Sequence, residues 1–425
     1  MIYSVYKLLL VGMFLGPALA LADESSARVT LQDAKRYAVE RNLDVLALRR
    51  AADEKKANAG LANSAFFPRL GVAGGAETNR GGDAAALGYL YGNFNVFRGF
   101  EDTYKSQVAA IESEIVDARL RQAEFRVGLD VEQQFHLYLL KKVVIALKDA
   151  ALELNAKHKG MAAKRRSRGL SASSDVMEFE LRDSLIRSDL MLLGQELKEA
   201  RIRLRKLLGE EVGARIEPAG SLQHQHLKGE LKEYILKIKD TSETVRIANR
   251  ELARSNVEAK LWRARWLPVV DVEAQAGYLN LDNRPPTGGL GVRGVVLAKF
   301  DLFSGFSGMW ERRAGEAKQL KAEAQLKRAL QEVLGDTEAA YVRLRTIQDR
   351  VDVEDQNESR AKRYYDAVID EYRRGLKNSA DVKVAAEMLF ETRIRRESFK
   401  FDFLKERLEL ERSLGSPIET ELVHD

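Results

Sequence analysis

The sequence is written twice, and this duplication limits what it can fold into. At an offset of 206, Phe97 falls on Phe303, Gly99 on Gly305, Gly169 on Gly375, Asp175 on Asp381 and Gly209 on Gly415. Upstream the offset is 200, setting Leu31 on Leu231, Val45 on Val245, Leu61 on Leu261 and Pro68 on Pro268. The six-residue difference falls between Pro268 and Phe303, where the second copy has the longer loop. A period near 200 is too long for a solenoid and marks a duplicated structural unit.

The first 22 residues have the pattern of an export signal. Lys7 is the positive n-region, Leu8 to Leu19 is apolar, and Ala20-Leu21-Ala22 is a small-x-small cleavage site. The apolar run is shorter than the roughly 20 residues of a membrane-spanning helix. The sequence has no cysteine, which excludes a disulfide framework and a cysteine-borne lipid anchor. Charged residues make up 31% of the chain, with a net charge of +5, and the two signs interleave. That is a solvated helical surface with no separate basic face, so no nucleic-acid partner is expected.

Residues 23–215 are expected to form the first repeat, 216–230 a linker, 231–415 the second repeat and 416–425 a tail. Each repeat opens with a helical arm, 31–67 and 231–267, rich in Ala, Leu, Lys, Arg and Glu. Thr30 is a candidate N-cap. Pro68 and Pro268 stop the arms because proline cannot continue the hydrogen-bond ladder. The period then changes. Val270 to Tyr278 alternates apolar and polar, a turn-rich loop follows at Asn283 to Gly289, and Leu290 to Phe300 alternates again. Hairpins are expected at 70–97 and 269–301, with strands about as long as a tilted strand needs to cross a bilayer. Alternation alone suits a soluble sheet equally well.

Gly99 to Gly169 and Gly305 to Gly375 each span 70 residues without proline. Apolar residues at 3–4 spacing predict long helices at 100–168 and 306–374, packed as coiled coils. Each is roughly 100 Å long at 1.5 Å per residue. Return helices are expected at 175–208 and 381–414. An arm plus a return helix matches the long helix in length, so each repeat reads as a rod with its hairpin at one end and the Gly169 or Gly375 turn at the other.

Val96-Phe97-Arg98-Gly99 and Leu302-Phe303-Ser304-Gly305 are similar to the apolar-Phe-x-Gly strand–helix junctions of TolC-like outer-membrane efflux proteins. Gly169 to Asp175-Val176 and Gly375 to Asp381-Val382 resemble the tip turns of that family, and Pro68 and Pro268 stand where it enters its barrel. The resemblance covers essentially all the chain after the signal. It implies a mainly α fold with a small β part: a homotrimer with a periplasmic α-barrel and a transmembrane β-barrel of four strands per protomer. It also implies an outer-membrane duct extending into the periplasm, with neither cofactor nor catalysis. The expected partners are outer-membrane lipid, a periplasmic adaptor, and an inner-membrane pump of RND or ABC type, for efflux or type I secretion.

In this reading Val270, Val272, Ala274, Ala276 and Tyr278 face lipid, and Asp271, Glu273 and Gln275 line the lumen. Aromatics Phe66, Phe67, Trp266, Phe97, Phe100, Phe303 and Phe306 form an interfacial belt or pack at an ordinary junction. The resemblance further implies a tip gate in which Tyr372 and Lys377 link to Asp175. Asp381 forms an acidic ring, and Val384 stands where the family has a second acid. Asp175 and Asp381 read equally as helix N-caps. His224-x-His226 is a weak metal motif in a polar linker, where solvated histidines are the simpler reading. A non-channel periplasmic adaptor or a coiled-coil spacer is the competing assignment.

Overall fold

The computed structural model describes residues 27–78, 84–169, 172–209, 216–223, 225–264, 266–280 and 288–422. The export signal and His224 lie outside the described residues. Two helices of 67 residues each, α3 (Glu101–Ser167) and α8 (Ser307–Arg373), set the length of the molecule. Their return partners are α4 (Ser173–Leu207) and α9 (Ser379–Leu414).

The arms are broken where continuous helices were expected. The first divides into α1 (Leu31–Arg41) and α2 (Leu43–Asn63), the second into α5 (Leu231–Thr241), α6 (Glu243–Glu258) and α7 (Leu261–Ala264). Asn42 and Ser242 occupy the breaks in extended conformation, with ψ of 125° and 110°. Asn42 Oδ1 accepts from the backbone N–H of Asp44 at 2.9 Å, capping the next helix. Ser242 Oγ accepts from Val245 N–H at 3.5 Å. Gly209 and Gly415 press against these breaks. A Cβ at either would come 2.9 Å from a carbonyl oxygen, of Arg41 and Thr241 respectively. Thr30 caps α1, accepting from Asp33 N–H at 3.2 Å.

Short strands tie the chain ends to the middle of the rod. β1 (Ala27–Val29) pairs in parallel with β4 (Ile216–Pro218), and β5 (Gln225–Leu227) pairs antiparallel with β8 (Thr420–Leu422). The segments read as linker and tail thus contain strands. Three residues each carry too little pattern to detect.

Four longer strands form one antiparallel sheet in the order β2 (Arg69–Thr78), β3 (Ala84–Arg98), β6 (Val269–Asn280), β7 (Gly288–Lys299). The β3–β6 pairing joins the two repeats, with a bulge between Asn95 and Phe97. After each hairpin the chain turns into its long helix through two left-handed residues, Gly99-Phe100 and Gly305-Phe306. Positive φ costs a non-glycine residue of order 1 kcal/mol or more. Edge-to-face rings offset part of this: Phe97 on Phe100 at 5.2 Å, and Phe303 on Phe306 at 5.4 Å.

Along the rod α3 is flanked on one side by α2 and α4 and on the other by α6 and α9, while α8 packs on α6 and α9. The central core gathers Val131, Phe135, Tyr138 and Leu139 of α3 with Ala34, Ala38, Ala200, Leu204 and Leu404. Glu132 is buried beside it, accepting from Arg407 of α9 and pairing with Lys35 of α1. Burial pushes its carboxyl up, but Arg407 and Lys35 outweigh burial and hold it below the ordinary value. Glu132→Ala removes the carboxylate that the mostly buried Arg407 and the half-exposed Lys35 share. We expect it to cost about 3–5 kcal/mol, read as a lower denaturant midpoint of the assembled protein.

Candidate channel wall and periplasmic tip

The sheet has one apolar face. Strand register places Leu70 and Val72 of β2, Leu90 and Phe94 of β3, Val270, Val272, Ala274, Ala276 and Tyr278 of β6, and Leu290, Val292 and Val296 of β7 together. Leu70, Leu290 and Val292 are 83%, 88% and 79% exposed. The opposite face carries Asn93, Asn95, Asp271, Glu273, Gln275 and Arg293, with Tyr89 and Tyr91. Asn95 donates to Asp271 Oδ1 at 2.5 Å across the strand pair that joins the repeats. Asp271, Glu273 and Gln275 thus share the polar face. A sheet greasy on one side and polar on the other separates hydrocarbon from water.

Both outer strands, β2 and β7, have one neighbour each, so the sheet ends in two open edges. Below it the aromatics Phe66, Phe67, Trp266, Phe100, Phe303 and Phe306 are exposed. Gly99 packs against the second repeat, where a Cβ would lie 2.3 Å from the Ala264 carbonyl oxygen. Its counterpart Gly305 has open space in the same direction.

At the far end Gly169 (φ 72°) and Gly375 (φ 83°) make the turns between long and return helices. The N-caps there are Ala172 and Asn378, so the capping assignment of Asp175 and Asp381 is corrected by three residues. Both aspartates sit in the first helical turn, where a carboxylate meets free backbone N–H groups. Asp381 completes a capping box: Asn378 Oδ1 accepts from Asp381 N–H at 2.9 Å, and Asp381 Oδ2 from Asn378 N–H at 3.1 Å. Lys377 lies 4.0 Å from Asp381 Oδ1.

Tyr372 is buried, and its hydroxyl is 3.4 Å from Ser379 Oγ. Arg165 of the first repeat holds it from the other side, its guanidinium 4.6 Å from the ring centre and its Nη1 donating to the Tyr372 carbonyl at 2.5 Å. Arg165 thus links Tyr372 to the first repeat. Two helical turns away on α8, Tyr365 meets His158 of α3, with 2.8 Å between hydroxyl and Nε2. Sequence reasoning missed Arg165, Ser379 and the His158–Tyr365 contact. Only an offset one residue out of the duplication register relates these pairs, so the repeat gave no signal.

Burial lowers the His158 pKa to about 4 and raises that of Tyr365 to about 12. At neutral pH the pair is uncharged. Among the described residues, no cluster of His, Asp and Glu could hold a metal, and no helix is long and apolar enough to cross a membrane. His226 pairs with Asp352 at 3.1 Å.

Residues 237–416 match the family model described as outer membrane efflux protein. That match falls on the second repeat. A sequence search of curated proteins finds no match. Among solved structures, the outer membrane protein VceC from Vibrio cholerae is similar at TM-score 0.79 and 17% identity, covering 92% of this chain and 97% of that one. The open state of the MtrE channel from Neisseria gonorrhoeae gives TM-score 0.76 and 14% identity, covering 91% and 89%. The CmeC outer membrane channel from Campylobacter jejuni gives 0.75 and 13%, covering 95% and 91%.

For a histidine whose folded pKa lies below its unfolded one, stability is complete above about 6.5 and falls as the pH drops. His158, and His136, also held to about 4 chiefly by burial, should therefore destabilise the rods between pH 6.5 and 4. His158→Gln should flatten that part of the pH–stability curve, measured by chemical denaturation across the range.

Proposed function

We propose that three copies close head to tail into one channel that carries cargo passively across the outer membrane and the periplasm. The observation that carries this reading is the four-stranded sheet with one apolar face and two open edges. In hydrocarbon each unpaired backbone group costs several kcal/mol, so an open edge cannot stand in lipid. Pairing β7 of one copy with β2 of the next removes every edge, and three copies give a twelve-stranded barrel with Asp271, Glu273, Gln275 and Arg293 toward the lumen.

The channel is the exit duct of a tripartite efflux pump or a type I secretion system. An adaptor and an RND or ABC pump in the inner membrane supply the energy and open the periplasmic tip. Tyr372, Lys377, Asp175 and Asp381, steadied by Arg165 and Ser379, form the closed latch. With Val384 at the second ring position, Asp381 is the ring acid and attraction of cations is correspondingly weaker.

Detergent-extracted protein should have the native mass of three copies. In planar bilayers, Tyr372→Phe combined with Lys377→Ser should raise single-channel conductance. A single-copy mass would overturn the assembly, and unchanged conductance would overturn the latch.

A further inference from the structure

The duplication makes the contact between repeats a template for the contact between copies. In one chain the return helices touch near the tip through two ion pairs: Lys383 Nζ to Glu178 Oε1 at 3.0 Å, and Arg182 Nη1 to Glu387 Oε1 at 2.6 Å. There α9 fills the groove between α3 and α4, with Lys383, Glu387 and Phe390 leaving only about 20 Å³. Adding 206 to each wall of this groove gives the groove between α8 and α9, walled by Asn357, Arg360, Tyr364 and Met388. That second groove is open, at about 540 Å³.

Subtracting 206 from the filling residues names what belongs there. Lys383 becomes Met177 and Glu387 becomes Leu181, both on α4. Their counterparts change in step: Glu178 becomes Val384, and Arg182 becomes Met388. All four charged positions of the internal contact are thus apolar in the external one. In the single chain all four are unsheltered: Met177 67%, Leu181 63%, Val384 49% and Met388 47% exposed.

Resting on the ring of copies proposed above, we infer that the α8/α9 groove receives α4 of a second copy, with Met177 against Val384 and Leu181 against Met388. Charges farther along the same face agree. The internal pairs Arg407–Glu132 and Arg412–Asp130 transform into Arg201 with Glu338 and Lys206 with Asp336, keeping their signs. Arg254–Glu112 transforms into Glu54 with Lys318, both signs reversed. The hydrogen-bonded Gln122 and Thr244 become Arg328 and Asp44. Arg121–Glu243, Arg119–Glu251 and Arg250–Glu114 become Lys327 with Leu43, Gln325 with Ala51, and Leu320 with Arg50. None of these sets like charges together. Change is matched at both ends of the two tip pairs and of Glu54 with Lys318, whereas Lys327 with Leu43 and Leu320 with Arg50 keep one charge each, at exposed positions where an unpaired charge costs little.

The chain has no cysteine, so pairs can be introduced cleanly. In full-length protein in membranes, Met177→Cys with Val384→Cys, bridged by mild oxidation or a short bis-maleimide, should give covalent dimers and trimers on denaturing gels. Glu178→Cys with Lys383→Cys should bridge within one copy and leave the mass unchanged. Met177→Lys alone should cut the detergent-resistant trimer several-fold, and adding Val384→Glu, which recreates the internal ion pair, should restore it. A native trimer without intermolecular cross-links would overturn this surface and leave the ring intact. A native mass of one copy would overturn the ring and the surface with it.

Discussion

An antiparallel sheet with two unpaired edges and one apolar face has no resting place as a single copy. Water penalises the face, and lipid penalises the edges. Everything else in the chain fits the removal of those edges. The β3–β6 pairing already joins the two repeats inside one copy. In the proposed ring the same arrangement continues outward and joins β7 to the β2 of a neighbour. Two hairpins per copy make that junction possible without any strand crossing another.

The helical rods repeat this logic in a different chemistry. α3 is covered on both flanks, whereas α8 is packed on α6 and α9 and shows Leu320, Val342, Val353 and Tyr364 on its surface. A head-to-tail contact of this kind generates either a closed ring or an open filament. The proposed ring favours closure, because only closure would pair both open edges of the sheet. Gly99, wedged on the Ala264 backbone, and Gly305, facing open space, are the same position seen with and without its neighbour.

The mainly helical architecture with its small sheet was legible because each element carries many residues of one period. Several turns of apolar spacing or nine residues of alternation average out local exceptions. The breaks at Asn42 and Ser242 were hidden for the opposite reason. Each is one residue whose side chain caps the helix that follows, and neither is a proline or a glycine. The three-residue strands β1, β4, β5 and β8 are likewise too short to show a period. At the tip, Tyr372, Lys377, Asp175 and Asp381 were named only through the resemblance, as the positions matching that family's gate. Their neighbours Arg165 and Ser379 could not be named, since contacts between parallel rods depend on helix rotation that one sequence does not reveal. The caps were displaced because Asp381 acts from the third helical position through a reciprocal bond with Asn378, a partner that sequence spacing leaves equivalent to several others.

The two kinds of seam differ in what they demand. Lys383–Glu178 and Arg182–Glu387 are charge-assisted bonds, short and directional, and they fix the two repeats of one copy in register. Methionine and valine impose no such angle. Met has three rotatable bonds, and an apolar contact keeps its value while its members slide by a fraction of a side chain. On the proposed ring, rigid joints lie within copies and compliant ones between them. Motion that opens a tip must then concentrate at the Met177–Val384 and Leu181–Met388 seams, where separating the surfaces exposes apolar area but strands no charge. On the same proposed contact an acid at Val384 would be unfavourable, because a carboxylate facing Met177 would be buried without a cation.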